Sequence, residues 1–168
     1  MNNDLVGTYN LLSWENRYES GAITYPLGHD AKGVISYAPD GFMFVHIMAN
    51  NRKNHSVNDL FGGKTSEIKD SATSHISYCG TYEINGNEVI HHVSVSSFPN
   101  WVNSEQRRNW HFQDDRLLLS AQGLQVGNEK VGAYLIWKRA TFRHDIKKNV
   151  CRQSNNSIGS QFVADAAR

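Results

Sequence analysis

The chain has 168 residues, enough for one domain with a sizeable core. Hydrophobic residues make up 39% and charged residues 20%, a globular rather than disordered or membrane-spanning composition. Lys and Arg total 17 against 16 Asp and Glu, so the net charge of +1 lacks the concentrated positive field that nucleic acid or an anionic membrane requires.

The first seven residues carry no basic and apolar leader pattern, and no apolar run reaches the roughly 20 residues of a bilayer span. Cys79 and Cys151 lie far apart with no metal-finger spacing, so two free thiols in a reducing cytoplasm are expected. Residues 5–14 read as a first strand. Residues 34–37 and 42–48 form a hairpin across Ala38-Pro39-Asp40-Gly41, where Pro presets φ, Asp bonds its own backbone and Gly accepts positive φ. Residues 50–74 are polar. A short helix is expected in the 60–77 region, capped by Thr65 or Ser66, with Ile68, Ala72 and Ile76 on one side. Residues 78–84 and 88–96 flank Asn85-Gly86-Asn87, a second hairpin. Residues 108–112 and 117–120 make a third, and 130–142 the last strand. Residues 147–168 form a polar tail, expected to be poorly ordered or to hold a short helix. Seven or more strands with tight turns suit a sandwich or a closed antiparallel barrel.

Side chains alternate across a strand, and the apolar faces are assigned inward. These are Met43, Val45 and Ile47; Val89, His91, Val93 and Val95; and Arg108, Trp110 and Phe112, with Tyr37 and Tyr82 alongside. One imidazole and one guanidinium thereby sit among hydrophobic groups, the pattern of a small-molecule site.

Several stretches resemble one family in order along the chain. Leu5-Val6-Gly7-Thr8-Tyr9 and Leu12-Ser13-Trp14-Glu15 come first, then Tyr25-Pro26-Leu27-Gly28 and residues 37–43. Gly80-Thr81-Tyr82-Glu83, His91-His92-Val93, Phe98-Pro99-Asn100-Trp101, Gln106, Arg108 and Asp115-Arg116-Leu117 follow. Over about residues 4–143 this is similar to the lipocalin-like domain family of small bacterial and fungal proteins. The resemblance implies an all-β, up-and-down antiparallel barrel of about 8–10 strands within a 1–146 domain, hollow at its centre. It also implies an end closure in which Arg139 stacks on Tyr9, where the wider superfamily has Trp.

His91 is the leading candidate base or hydrogen-bonding group, the alternative being a core histidine satisfied by its neighbours. His46 is a second candidate, on a mixed face that also suits the surface. Trp101 could lid the cavity and Asn100 bond a ligand oxygen from a loop at the barrel mouth, or the turn could simply cap the core. Arg108 needs a partner, whether Glu83, Glu88 or a ligand carboxylate or enolate. No histidine spacing suggests a metal, no cofactor motif is present, and Gly62-Gly63-Lys64-Thr65 lacks the context of a phosphate loop.

The expected function is binding of one small hydrophobic or aromatic molecule by Tyr25, Tyr37, Met43, His46, Tyr82, His91, Asn100, Trp101, Arg108 and Trp110. The alternative is a cofactor-independent isomerase, cyclase or dehydratase in which His91 is the base and Arg108, Tyr37 or Tyr82 stabilises an oxyanion. A barrel filled by its own side chains is a third reading. Oligomeric state is not set by the sequence, and a homodimer stays open.

Overall fold

The computed structural model describes residues 4–141. Its strands are β1 (Gly7–Tyr18), β2 (Ile23–Thr24), β3 (Lys32–Tyr37), β4 (Phe42–Met48), β5 (His75–Asn85), β6 (Glu88–Ser96), β7 (Glu105–Gln113), β8 (Arg116–Val126) and β9 (Glu129–Arg139). Helix α1 (Thr65–Thr73) joins β4 to β5, and a 3-10 turn (Pro99–Trp101) lies between β6 and β7. All pairings are antiparallel, β1 pairs with β3, β3 to β9 follow chain order, and β1 pairs with β9 to close the sheet. The two-residue β2 only extends one edge of β1, leaving eight strands in the closed wall. Closure leaves these strands no open edge.

The turns form for the reasons their residues suggest. At the first hairpin Gly41 has φ of 87°, and the Phe42 N–H donates to Asp40 Oδ1 at 3.2 Å. At the second, the central pair is Gly86-Asn87 rather than Asn85-Gly86, with positive φ only at Gly86, which is a type II′ turn.

Other boundaries differ from the sequence expectation. β8 runs to Val126 rather than residue 120 and returns through a tight turn at Gly127, whose φ is 58°. Helix α1 ends at Thr73 because Ile76 is taken into the β4–β5 ladder opposite Ile47. Its N-cap is Lys64, whose N–H donates to the Glu67 carboxylate at 2.9 Å, not Thr65 or Ser66, and none of its residues is buried. The 147–168 tail and Cys151 lie outside the described residues, while Cys79 is a free thiol.

Alternation carries the core. Met43, Val45 and Ile47 are buried while Phe42, Phe44, His46 and Met48 face out. It fails at one place. The β5–β6 register shifts between Cys79 and Gly80, so Val93 pairs with Gly80 but Val95 with Cys79. This bulge turns Val95 outward, 63% exposed, although Val89, His91 and Val93 on the same strand are buried. Ile90 is buried too, beside its long ladder partners Glu83 and Arg107.

One end of the barrel is sealed as the resemblance implied. The Arg139 guanidinium lies 4.9 Å from the centre of the Tyr9 ring. It donates to the Tyr9 hydroxyl at 2.8 Å and to the Val6 carbonyl at 2.9 Å, and Tyr9 donates to the Leu5 carbonyl at 3.1 Å. Tyr thus supplies both the ring face and a hydrogen-bonding oxygen. Arg139→Ala is expected to cost about 1–2 kcal/mol, because the guanidinium is partly solvated while Tyr9 is fully buried. That corresponds to a Tm lowered by roughly 3–6 °C with ligand selectivity unchanged, checked by thermal melts with and without ligand.

Candidate functional site

Inside the barrel, towards the end opposite the Tyr9–Arg139 seal, lies a cavity of about 60 Å³. Its wall is mainly apolar: Ile35, Val45, Ile47, Leu119, Ala133 and Trp137 are buried, while Trp14, Ile76, Trp101, Leu124 and Leu135 are half-buried towards the mouth. Its polar side chains are Tyr78, His91 and Arg108, and the indole N–H of Trp137 in the wall is buried and unbonded. Among the described residues no carboxylate lines it.

His91 is 1% exposed and held at both ring nitrogens. Nε2 shares a hydrogen bond with the Tyr37 hydroxyl at 2.9 Å, and Nδ1 shares one with the Tyr78 hydroxyl at 2.9 Å. Burial, then the positive Arg108 and then His92, push its pKa down to about 3, so the ring is neutral at pH 7. Burial is also the first cause holding both tyrosine pKa values above the ordinary 10, so both stay protonated.

A neutral imidazole offers one donor and one acceptor, and the tyrosines decide which is which. Tyr37 is buried and, among the described residues, its hydroxyl is bonded to His91 alone, so it donates to Nε2. Nδ1 then carries the proton and donates to the Tyr78 oxygen. Arg108 also reaches the Tyr78 hydroxyl, whose oxygen has lone pairs for both donors. The Tyr78 proton is thereby left to the cavity that Tyr78 lines.

Arg108 is half-buried on β7 and spends two of its N–H groups on the Arg107 carbonyl, at 2.8 Å, and on Gln106 Oε1, at 3.4 Å. Neither expected carboxylate meets it. Glu88 pairs with Arg107 at 2.9 Å, and Glu83 lies 3.5 Å from His92, both on the outer face. Among the described residues Arg108 has no ion-pair partner.

Of the residues expected at the site, His91, Trp101 and Arg108 line the cavity, and Tyr37 stands behind His91. Trp101 packs edge-on against Tyr78, with centroids 5.5 Å apart. The others are placed elsewhere. His46 is on the outer wall beside His75, because it alternates with the buried Val45 and Ile47. Tyr25 lies in the loop after β2, stacked on His29 at 3.6 Å, and Asn100 is exposed in the 3-10 turn. Met43 and Tyr82 are core groups outside the cavity wall, and Tyr82 donates to the Ala38 carbonyl at 3.0 Å. Trp110 packs on the core with its indole N–H covered and unbonded, and Phe112 is 37% exposed where an inward position was expected. The expectation omitted Tyr78, Trp14 and Trp137. Tyr78 shares the parity of Tyr82 on β5, so alternation alone points to it.

A larger hollow, about 340 Å³, lies outside the barrel between α1 and the loop after β4. Its wall is polar and largely self-bonded, with His55 on Ser71 at 2.7 Å and Ser56 on Glu67. It is a solvated groove, unlike the interior cavity. Among the described residues no cluster of His, Cys, Asp and Glu is placed to hold a metal ion.

Comparison with known proteins agrees with this architecture. A relative from Aspergillus oryzae, the 4'-hydroxy-3'-methoxypropiophenone carrier protein ppsC, is 24% identical over 106 residues, which cover 58% of this chain and 96% of the relative. The family model for the lipocalin-like domain matches residues 6–140, the whole closed wall, and the chain belongs to that family.

Proposed function

We propose that the protein is a carrier that holds one small hydrophobic or aromatic molecule inside the barrel. The observation that carries this reading is an apolar cavity with one hydrogen-bonding end, built from Tyr78, His91 and Arg108. The relative's name describes a carrier of a compact aromatic ketone, which supports the same class of cargo. At about 60 Å³ the cavity is narrower than the ~300 Å³ at which ligand pockets usually begin. Uptake therefore requires the half-buried mouth residues Trp101, Ile76, Leu124 and Leu135 to swing outward.

The same geometry weighs against the enzyme reading. A base whose conjugate acid has a pKa of about 3, with both nitrogens already hydrogen-bonded, takes protons poorly at neutral pH. Trp14, Trp101 and Trp137 in the wall provide the test. Titration with 4'-hydroxy-3'-methoxypropiophenone should change tryptophan fluorescence saturably, with a micromolar Kd, on the order of 8 kcal/mol. The ligand should be recovered with its mass unchanged. A flat titration rules out this aromatic ketone as the cargo, and a product of altered mass transfers the site to the enzyme reading.

A further inference from the structure

We infer that the cargo carries an acidic oxygen, a carboxylate or a phenolate, which docks against Arg108 and Tyr78 while its hydrocarbon part lies among Trp14, Trp101 and Trp137. This rests on the carrier reading and specifies the chemistry of its ligand.

The argument is a count of donors and acceptors at one end of the cavity. The Tyr37 proton is consumed by His91 Nε2, and the Nδ1 proton by the Tyr78 oxygen. Both imidazole nitrogens are then used up, and the ring has nothing left for a ligand. What the wall still offers is the Tyr78 O–H, the unbonded indole N–H of Trp137, and the guanidinium N–H groups of Arg108 not taken by the Arg107 carbonyl, Gln106 and Tyr78. These are donors only. Among the described residues no lining side chain is a carboxylate or an amide that could accept from them.

Charge points the same way. Arg108 is half-buried beside a mainly apolar wall and has no ion-pair partner among the described residues, because Glu88 is committed to Arg107 and Glu83 lies beside His92. Tyr37, Tyr78 and His91 are neutral around it. A buried or half-buried guanidinium is costly without a counter-charge, and its planar fork matches a carboxylate or a single phenolate oxygen better than a neutral carbonyl. A ligand anion supplies the missing partner and also accepts from Tyr78.

The experiment uses two matched pairs of probes, followed by tryptophan fluorescence. One pair is 3-phenylpropanoate and its uncharged amide. The other is 4'-hydroxypropiophenone, at a pH where its phenol is ionised, and the O-methyl ether that cannot ionise. At least one pair should show the anion binding tenfold or more tightly than its neutral partner, and which pair does so separates a carboxylate cargo from a phenolate one. Arg108→Gln should erase that preference, bringing the two members of the pair to within about twofold of each other. Tyr78→Phe should weaken the anion several-fold. Equal binding within both pairs, or a preference that survives Arg108→Gln, overturns the inference but leaves the carrier reading standing. If none of the four probes binds, the carrier reading falls and the inference with it.

Discussion

Acidification from pH 6.5 towards pH 3 should strip stability from the barrel through His91. In the unfolded chain this histidine titrates near its ordinary value of 6.5, whereas in the fold it does so at about 3. Between those values the unfolded state binds a proton that the folded state refuses, so stability rises with pH across the window and is lost as pH falls. The slope is at most about 1.4 kcal/mol per pH unit for one proton, or roughly 2–3 kcal/mol between pH 6 and pH 4. His75, whose pKa is lowered by burial and by Arg52, contributes with the same sign. The check is denaturant unfolding at several pH values for the wild type and for His91→Gln. Gln can accept from Tyr37 and donate to Tyr78 but cannot titrate. The difference between the two proteins isolates His91 from the carboxylates that also titrate below pH 5. Parallel curves would show that the buried imidazole does not control acid stability.

The largest loss from a single substitution is expected at Gly80. A β-carbon there would sit 1.9 Å from the His92 carbonyl oxygen, 2.9 Å from its carbon and 3.0 Å from the Ser94 nitrogen. All three atoms belong to the backbone of the facing strand, so no rotamer change can relieve the clash. β5 and β6 would have to separate at the bulge that sets the register of Tyr78 and Val93. Overpacking of this kind costs about 1–3 kcal/mol and more when the backbone cannot move; Gly80→Ala is placed at about 3 kcal/mol or above. Gly123→Ala is the control. Its φ of 72° carries local strain, but nothing lies within 4 Å of the added carbon, and about 1 kcal/mol is expected. Similar melting temperatures for the two variants would refute the close-approach argument.

The candidate site was only partly legible in the sequence. Parity along β6 places His91 inward and His92 outward, and the structure agrees because the strand stays regular between Val89 and Val93. Parity along β7 likewise brings Arg108 to the cavity. The same rule on β5 contained Tyr78, which went unread, whereas Val95 followed the rule and was misplaced, because a one-residue bulge reverses the face of everything beyond it. His46 and Asn100 were attractive as chemistry but not as geometry. The first sits opposite an apolar face, and the second lies on the outside of its turn.

The amino-acid order by itself determined the local features: alternating strands, turns at Pro39-Asp40-Gly41 and around Gly86, and an apolar face for each strand. These depend on neighbours a few residues apart, where sterics and hydrogen bonding leave few choices. Closure of β1 on β9, the bulge at Gly80, and the chain from Tyr37 through His91 and Tyr78 to Arg108 were decided only in the tertiary structure. The physical reason is that these groups come from β3, β5, β6 and β7, and which proton goes to which atom depends on what burial leaves each of them able to reach.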